Sequence, residues 1–324
     1  MSFFPTKILL ATDGSEEAEW AAQSAVQLAN ETGSELHVVL VGPRTVTSVG
    51  LPGSPGGGPV VSHEEVDREA KRSLEAQVEK AKAGGGMVAQ SHFRAGRPAP
   101  EIVDLAEEIG AGLIVMASRG LGGIRRALMG RVSSSVVRHA HCPVLVVRGE
   151  KDGEPPFSAK RILLATDGSG EAALAAQAAV DLANKTNSDI HVVHVWRLDY
   201  GDPSFVVAGP EYMQQVQENL EQEARKLLDA EVLRVKAAGG SVAQTHLRTG
   251  KPDQEIVDLA EEIGTGLILM GSRGLGGIRR VLMGSVSDSV VRHAHCPVLV
   301  VSKDESKEEQ TKTYNCNFSA ALLL

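Results

Sequence analysis

Two long stretches of this chain recur almost unchanged 154 positions later. Lys7 to Ser15 returns as Arg161 to Ser169 with only the first residue altered, and Glu101 to Val147 returns as Glu255 to Val301 with six positions changed. Because the offset is the same at both ends, no net insertion separates the copies. That period is far too long for a solenoid and implies one whole domain used twice. Each unit has about 150 residues, enough for its own hydrophobic core. The expected boundaries are 1–148 for the first domain, 149–160 for a polar linker with Pro155-Pro156, and 161–302 for the second domain. The tail, 303–324, opens as a charge run and ends in Phe318 to Leu324. It is expected to be weakly ordered unless that apolar end docks.

Within each unit, short apolar runs alternate with helical patterns. Ile8 to Ala11 reads as a buried strand stopped by Asp13-Gly14-Ser15. Ala18, Ala21, Ala25 and Leu28 recur at helical spacing, and Gly33 ends that helix. Further strands are expected at Leu36–Val41, Met87–Phe93, Leu113–Met116 and Pro143–Val147. The intervening helices fall at about His63 to Ala83, around Ile102 to Ile109, and at about Val132 to His141. Gly42 to Pro59 reads as a Gly/Pro-rich loop, replaced in the second unit by Arg197 to Pro210. Alternating strands and helices imply right-handed β-α-β crossovers and a parallel sheet with helices on both faces.

The formal net charge is −8 and aromatic residues make up 3% of the chain. Both argue against a nucleic-acid partner, which needs a basic footprint and stacking platforms. No apolar run approaches the ~20 residues that span a bilayer. The N-terminus lacks the design of a signal peptide. No membrane partner and a cytoplasmic location are therefore expected. Of three cysteines, Cys142 and Cys296 are repeat equivalents and Cys316 lies in the tail, which is no disulfide framework. Basic residues cluster at Arg119, Arg125 and Arg126, and again at Arg273, Arg279 and Arg280. Such a loop suits a small anionic ligand, or is simply a solvated face.

The chemistry is concentrated after the fourth strand of the second copy, which ends at Met270. Gly271 is followed by two residues and Gly274, then nine residues lead to Gly284-Ser285. Glycines let backbone N–H groups approach an anion. The helix that opens at Ser285, Val286 and Ser287 offers unpaired donors and a positive dipole end. The serines add hydroxyls. An ordinary strand-to-helix loop with N-cap serines is the competing reading. No Gly-Lys-Ser/Thr follows, so this is not a Walker loop.

Together with Ala165-Thr166-Asp167, the pair His194-Val195 and the closing strand Cys296 to Val301, these residues resemble the universal stress protein family, of its ATP-binding kind. The resemblance covers nearly all of both units. It implies two tandem α/β domains, each a five-stranded parallel doubly wound sheet of order 3-2-1-4-5. It also implies an ATP site, with magnesium carried by the nucleotide, in the crevice where that order reverses. There Ala165, Asp167 and Val195 would line the adenosine end and Met270, Gly271, Arg273 and Gly274 the loop. Gly284, Ser285, Val286 and Ser287 would hold phosphates. The first-domain counterparts are Ala11, Asp13, Val41, Arg119, Gly120, Gly130, Val132 and Ser133, but Ala117 and Arg131 replace Gly271 and Ser285. The added methyl either crowds the ligand or narrows the backbone, and the arginine removes a hydroxyl while adding a cation. The tighter site is therefore expected in the second domain. Asp167 is alternatively a turn-former ahead of a helix N-cap.

Family members pair through the last strand. Here Val144–Val147 and Val298–Val301 are expected to pair within one chain, as a pseudo-dimer on which two chains could assemble further. His139, His141 and Cys142, with their repeats, read as a helix end rather than a metal site. His37 and His191 read as hydrogen-bonded structural residues. No Gly-x-Ser-x-Gly elbow supports a nucleophilic triad. The resulting reading is an ATP-binding sensor or regulator of the stress response. The alternatives are a slow ATPase or nucleotide-dependent transferase in which Asp167 holds magnesium, and an interaction scaffold with vestigial sites.

Overall fold

The computed structural model describes residues 3–43, 63–120, 129–148, 157, 160–197, 204–275 and 283–302. The first domain runs β1 (Lys7–Thr12), α1 (Glu16–Thr32), β2 (Glu35–Gly42), α2 (His63–Ala83), β3 (Val88–Ala95), α3 (Pro98–Ile109), β4 (Leu113–Ala117), α4 (Arg131–His139) and β5 (Val144–Val147). The second repeats it as β6 (Arg161–Ala165), α5 (Gly170–Thr186), β7 (Asp189–Trp196), α6 (Ser204–Ala237), β8 (Val242–Thr249), α7 (Pro252–Glu262), β9 (Leu267–Gly271), α8 (Ser285–His293) and β10 (Val298–Val301).

Local sequence explains the element ends. Ser15 and Ser169 cap α1 and α5, their hydroxyls accepting the N–H of Ala18 and Ala172. The α1 helix ends at Gly33, whose φ of 67° is the left-handed value a glycine adopts without a Cβ penalty. The matching end of α5 falls on Asn187, the residue type next most tolerant of that conformation. One expectation is corrected. Arg197 to Pro210 is not all loop, because α6 already begins at Ser204. The helical pattern downstream extends backward through Gly209-Pro210, which read locally as punctuation. Most of the Gly42–Pro59 loop, most of the linker, the tail, and Arg125, Arg126, Arg279 and Arg280 lie outside the described residues.

The strands form one ten-stranded sheet of order β3-β2-β1-β4-β5-β10-β9-β6-β7-β8. Each half has the order 3-2-1-4-5 and is parallel throughout. The halves meet where β5 and β10 pair antiparallel, Val146 opposite Val298, Leu145 opposite Leu299 and Val144 opposite Val300. Unpaired, β5 and β10 would each leave an apolar edge; paired, they lie at the centre of the sheet and are buried. The sheet's outer edges are β3 and β8, so the last strands are already used within the chain.

Helices cover both faces. One core cluster joins Leu10, Ala25 and Leu145 to Leu164, Ala179 and Leu299, so it runs through both domains. The other combines Leu9, Ile102 and Val146 with Leu163, Ile256 and Val300. Several polar contacts also cross the seam. Phe4, buried, donates its N–H to the Asp181 carboxylate at 2.6 Å. Arg148 donates to the carbonyls of Arg292 and Ala294 at the C-terminus of α8, where a cation is favoured. Arg138 of α4 meets Asp288 of α8 at 3.1 Å. Asp288 stands where the first copy has Ser134, so this change in the repeat supplies one half of an inter-domain ion pair. No described helix is long and apolar enough to cross a membrane.

Candidate functional site

In the second domain β6 is flanked by β7 on one side and β9 on the other, so the crossovers leave in opposite directions and a crevice opens at the strands' C-terminal ends. A cleft of about 640 Å³ lies there. Ala165, Asp167, Val195, Met270, Gly271, Arg273, Gly274, Gly284, Ser285, Val286 and Ser287 all line it. These residues come from the ends of β6, β7 and β9 and the start of α8, and the sheet register brings them together. Thr166, inside the Ala165-Thr166-Asp167 motif, lines it too, as do Ala172, Val193, Arg197, Pro252, Ile256 and Leu275, to which local sequence signals did not point. Ala172, Pro252 and Ile256 are brought there by the packing of α5 and α7, whereas Thr166, Val193, Arg197 and Leu275 come from the ends of β6 and β7 and from the glycine loop.

The cleft has two characters. Val193, Val195, Pro252, Ile256 and Met270 form an apolar wall. Opposite it, no side chain caps α8 at Gly284, so its first turn presents backbone donors beside the exposed Ser285. The Ser287 hydroxyl, by contrast, is not turned outward. It is buried and donates to the carbonyl of Ser272 at 2.6 Å, tying the start of α8 to the end of β9. Its first-domain partner Ser133 does the same with Ala117 and Ser118.

Asp167 holds the loop. One carboxylate oxygen accepts the Ser169 N–H at 3.0 Å, the turn expected ahead of a helix cap. The other accepts the Leu275 N–H at 2.9 Å, which ties the glycine loop to the end of β6. A Cβ at Gly274 would fall on that second oxygen, which is why the position takes a glycine. Arg273 points back toward α5, its Nε 2.6 Å from the Glu171 carboxylate. The loop cation is therefore neutralised by a residue in the helix's first turn that sequence reasoning had passed over.

The first domain repeats the frame with local differences. Ala11 is buried at the end of β1, and Val41 is half-buried against the core face that Leu9 and Val39 form. The Asp13 carboxylate accepts the Ser15 N–H at 3.0 Å, and a Cβ on Gly120 would collide with its other oxygen. Arg119 pairs with Glu17 at 2.8 Å. Gly130 precedes α4 with no side-chain cap, and Arg131 and Val132 are exposed beside it. The structure redirects the argument about Ala117. A Cβ built on Gly271 meets the backbone of Glu171 at 2.9 Å and Ala172 N at 3.0 Å. The extra methyl therefore presses on the helix start rather than filling the cleft.

The histidines take structural places. Nδ1 of His139 donates to the Ser135 carbonyl and that of His293 to Ser289, both at 2.7 Å, one turn back in their own helices. Among the described residues no group of three His, Cys, Asp or Glu could hold a metal ion, and Cys142 and Cys296 form no disulfide. His37 and His191 do have the polar partner expected of a buried histidine, in each case a second histidine, and Nε2 of His37 also lies 3.1 Å from the Glu35 carboxylate. His37 stacks on His92, and His191 on His246, with ring nitrogens 3.0 Å apart in each pair. Burial lowers the pKa of His92, His191 and His246; the neighbouring histidine adds to this at His92 and His246, and Arg161 at His191.

A family profile described as the universal stress protein family matches residues 5–148 and again 158–302. A universal stress protein of Mycolicibacterium smegmatis is 30% identical over 303 residues, 91% of this chain and 96% of its own. One from Mycobacterium tuberculosis is 31% identical over 231 residues, 66% of this chain and 72% of its own. Among solved structures, a universal stress protein from Archaeoglobus fulgidus superposes with a TM-score of 0.63 at 26% identity, covering 93% of this chain and 98% of its own.

Proposed function

The chain belongs to the universal stress protein family, and on that premise we propose that its second domain binds ATP and that the protein acts as a nucleotide-occupied sensor or regulator in a stress response. The carrying observation is the cleft itself. It sits at the reversal point of the strand order, with an apolar wall on one side and an uncapped helix start behind a glycine loop on the other. An adenine ring suits the wall of Val193, Val195, Ile256 and Met270. A phosphate chain suits the backbone donors of Ser285, Val286 and Ser287 and the dipole of α8, while the Gly284 N–H is already given to the Ser272 carbonyl. Magnesium, if used, would arrive with the nucleotide and neutralise phosphate charge. Both oxygens of Asp167 already receive backbone N–H groups, which favours a holding role over that of a base.

We place the tighter site in the second domain because Ser285 leaves the head of α8 open, whereas Arg131 stands at the head of α4. Matched substitutions test this. Gly274→Ala and Gly120→Ala put the same methyl onto Asp167 and Asp13, respectively. Gly274→Ala is expected to weaken ATP binding by at least about tenfold, while Gly120→Ala leaves the tighter phase within about twofold. The reverse ranking would move the principal site to the first domain. Absence of any ATP binding or thermal shift in the unaltered protein would leave the scaffold reading in its place.

A further inference from the structure

Glu231, on α6, is a buried carboxylate directly behind the cleft, with 1% of its side chain exposed. Its Oε2 accepts from the Thr166 hydroxyl at 3.0 Å and from Arg234 at 2.7 Å. Its Oε1 is buried with no hydrogen-bond partner. Thr166 itself lines the cleft, one residue before Asp167, and its hydroxyl accepts the Gly168 N–H at 3.2 Å. The Thr166 carbonyl accepts Nδ1 of His194 from β7 at 2.8 Å. The turn carrying Asp167 is thus anchored to Glu231 across 65 positions of sequence. In the first domain the same offset places Gln77, also buried, on α2 behind Thr12. There Thr12 accepts the Gly14 N–H at 3.2 Å just as Thr166 accepts that of Gly168. A neutral amide therefore fits this place, and the second domain alone keeps an ionisable group there.

We propose that Glu231 makes the second-domain site proton-linked: it takes up a proton when an anionic nucleotide binds, so that this site tightens as pH falls while the first, with Gln77, does not. The inference rests on the nucleotide reading above. An ionised carboxylate with one oxygen facing no donor is costly inside a protein. Burial pushes the Glu231 pKa up, Arg234 and the Thr166 hydroxyl oppose the rise, and Asp167 adds to it. Arg234 is on Glu231's own helix, Asp167 is in the turn after β6, and His194 reaches that turn from β7. The side chains of α5 and β8 that share this core, Ala176, Val180, Val242 and Leu247, are apolar. Among the described residues Arg234 is the cation in contact with Glu231; Arg197 and Arg273 line the cleft itself, and Arg273 is paired with Glu171. Phosphate charge in the cleft raises the carboxyl pKa by about one unit more, a linkage of about tenfold in affinity.

Calorimetry on the full chain, titrating ATP in buffers of different ionisation enthalpy, measures the proton directly. The unaltered protein is expected to take up a fraction of a proton more than Glu231→Gln. Its affinity is expected to rise relative to that variant, by up to about tenfold, as pH falls through the raised pKa of Glu231. Titration of the phosphates themselves is common to both proteins and cancels. Arg234→Ala, which removes the opposing cation, should move the response to higher pH. Equal proton uptake in the unaltered and Glu231→Gln proteins overturns the proposal. If neither binds ATP, the nucleotide reading fails instead, and the ligand-free stability profile decides the role of Glu231. A carboxyl with a raised folded pKa adds stability below its unfolded value, and that stability is lost as pH rises through the folded one. Glu231→Gln should remove that fall, and an unchanged profile overturns the proton linkage on its own.

Discussion

Replacing Gly271 with alanine writes the first domain's residue into the second, at the position where the two copies of the motif part. The new Cβ lies 2.9 Å from the Glu171 carbonyl carbon and Cβ, and 3.0 Å from Ala172 N. These are mostly backbone atoms in the first turn of α5, not the tip of a flexible side chain, so no rotamer change relieves the contact. The helix start must move back by several tenths of an ångström, although Ala172, Ala175 and Ala176 behind it are buried to 2% exposure or less. Overpacking of this kind costs about 1–3 kcal/mol. The gain from a less flexible unfolded chain offsets about 0.4–1 kcal/mol of it. The net expectation is a loss of up to about 2.6 kcal/mol. The chain has two tryptophans, Trp20 in α1 and Trp196 in β7. In a Trp20→Phe background, urea unfolding followed by Trp196 fluorescence therefore reports the second domain. Because Arg273 is tied to Glu171, the same shift should loosen the glycine loop and weaken ATP binding along with stability. The converse change, Ala117→Gly, is expected to destabilise the first domain by about 0.5–1 kcal/mol. A Gly271→Ala protein more stable than the parent would refute the reasoning, since α5 would then yield without cost.

The seam, the inter-domain ion pair and the histidine pairs each carry a further expectation. Leu145 and Leu299 face each other across β5 and β10, both 1% exposed, so Leu299→Ala should cost about 2–5 kcal/mol. The double Leu145→Ala, Leu299→Ala change should be non-additive in a denaturant cycle. Asp288→Ser restores the first-domain residue and removes the contact to Arg138. With Arg138 largely solvated, the loss should be about 0.5–1 kcal/mol at low salt and should vanish near 1 M salt. Burial tends to raise the Asp288 pKa, but its hydrogen bonds and charge contacts with Arg292 and Arg138 outweigh that and hold it low. The pair's contribution is therefore present above the unfolded carboxylate pKa and lost as acid protonates the folded one. For His92, His191 and His246 the folded pKa values are lowered, so the unfolded chain binds more protons as pH drops below about 6.5. Urea midpoints should fall through that range, and His92→Gln with His246→Gln should flatten the decline.

Much of this molecule is written locally. The 154-residue repeat settles the domain count, and the alternation of short apolar runs with helical spacing settles the layers. Asp13-Gly14-Ser15 and Asp167-Gly168-Ser169 mark the turn and cap that follow the first strand of each half. The edge character of the last strand foretold the β5–β10 pairing. These features are legible because strand period, cap chemistry and glycine conformation each depend on residues a few positions apart.

What the tertiary structure alone decided lies across long sequence separations. Ser287 reads in sequence as a hydroxyl at a helix start; only the rotation of α8 against β9 turns it inward to Ser272. Arg273 reads as a cation for the ligand, yet Glu171 holds it from 102 positions away. His37 and His191 find their partners on the neighbouring strand, 55 residues on in each case. Glu231 carried no signal on a charged helix, and acquires one only because α6 lays that face over Thr166. In each case the deciding quantity is a helix azimuth or a strand register, which the packing of the whole core sets and no local pattern encodes.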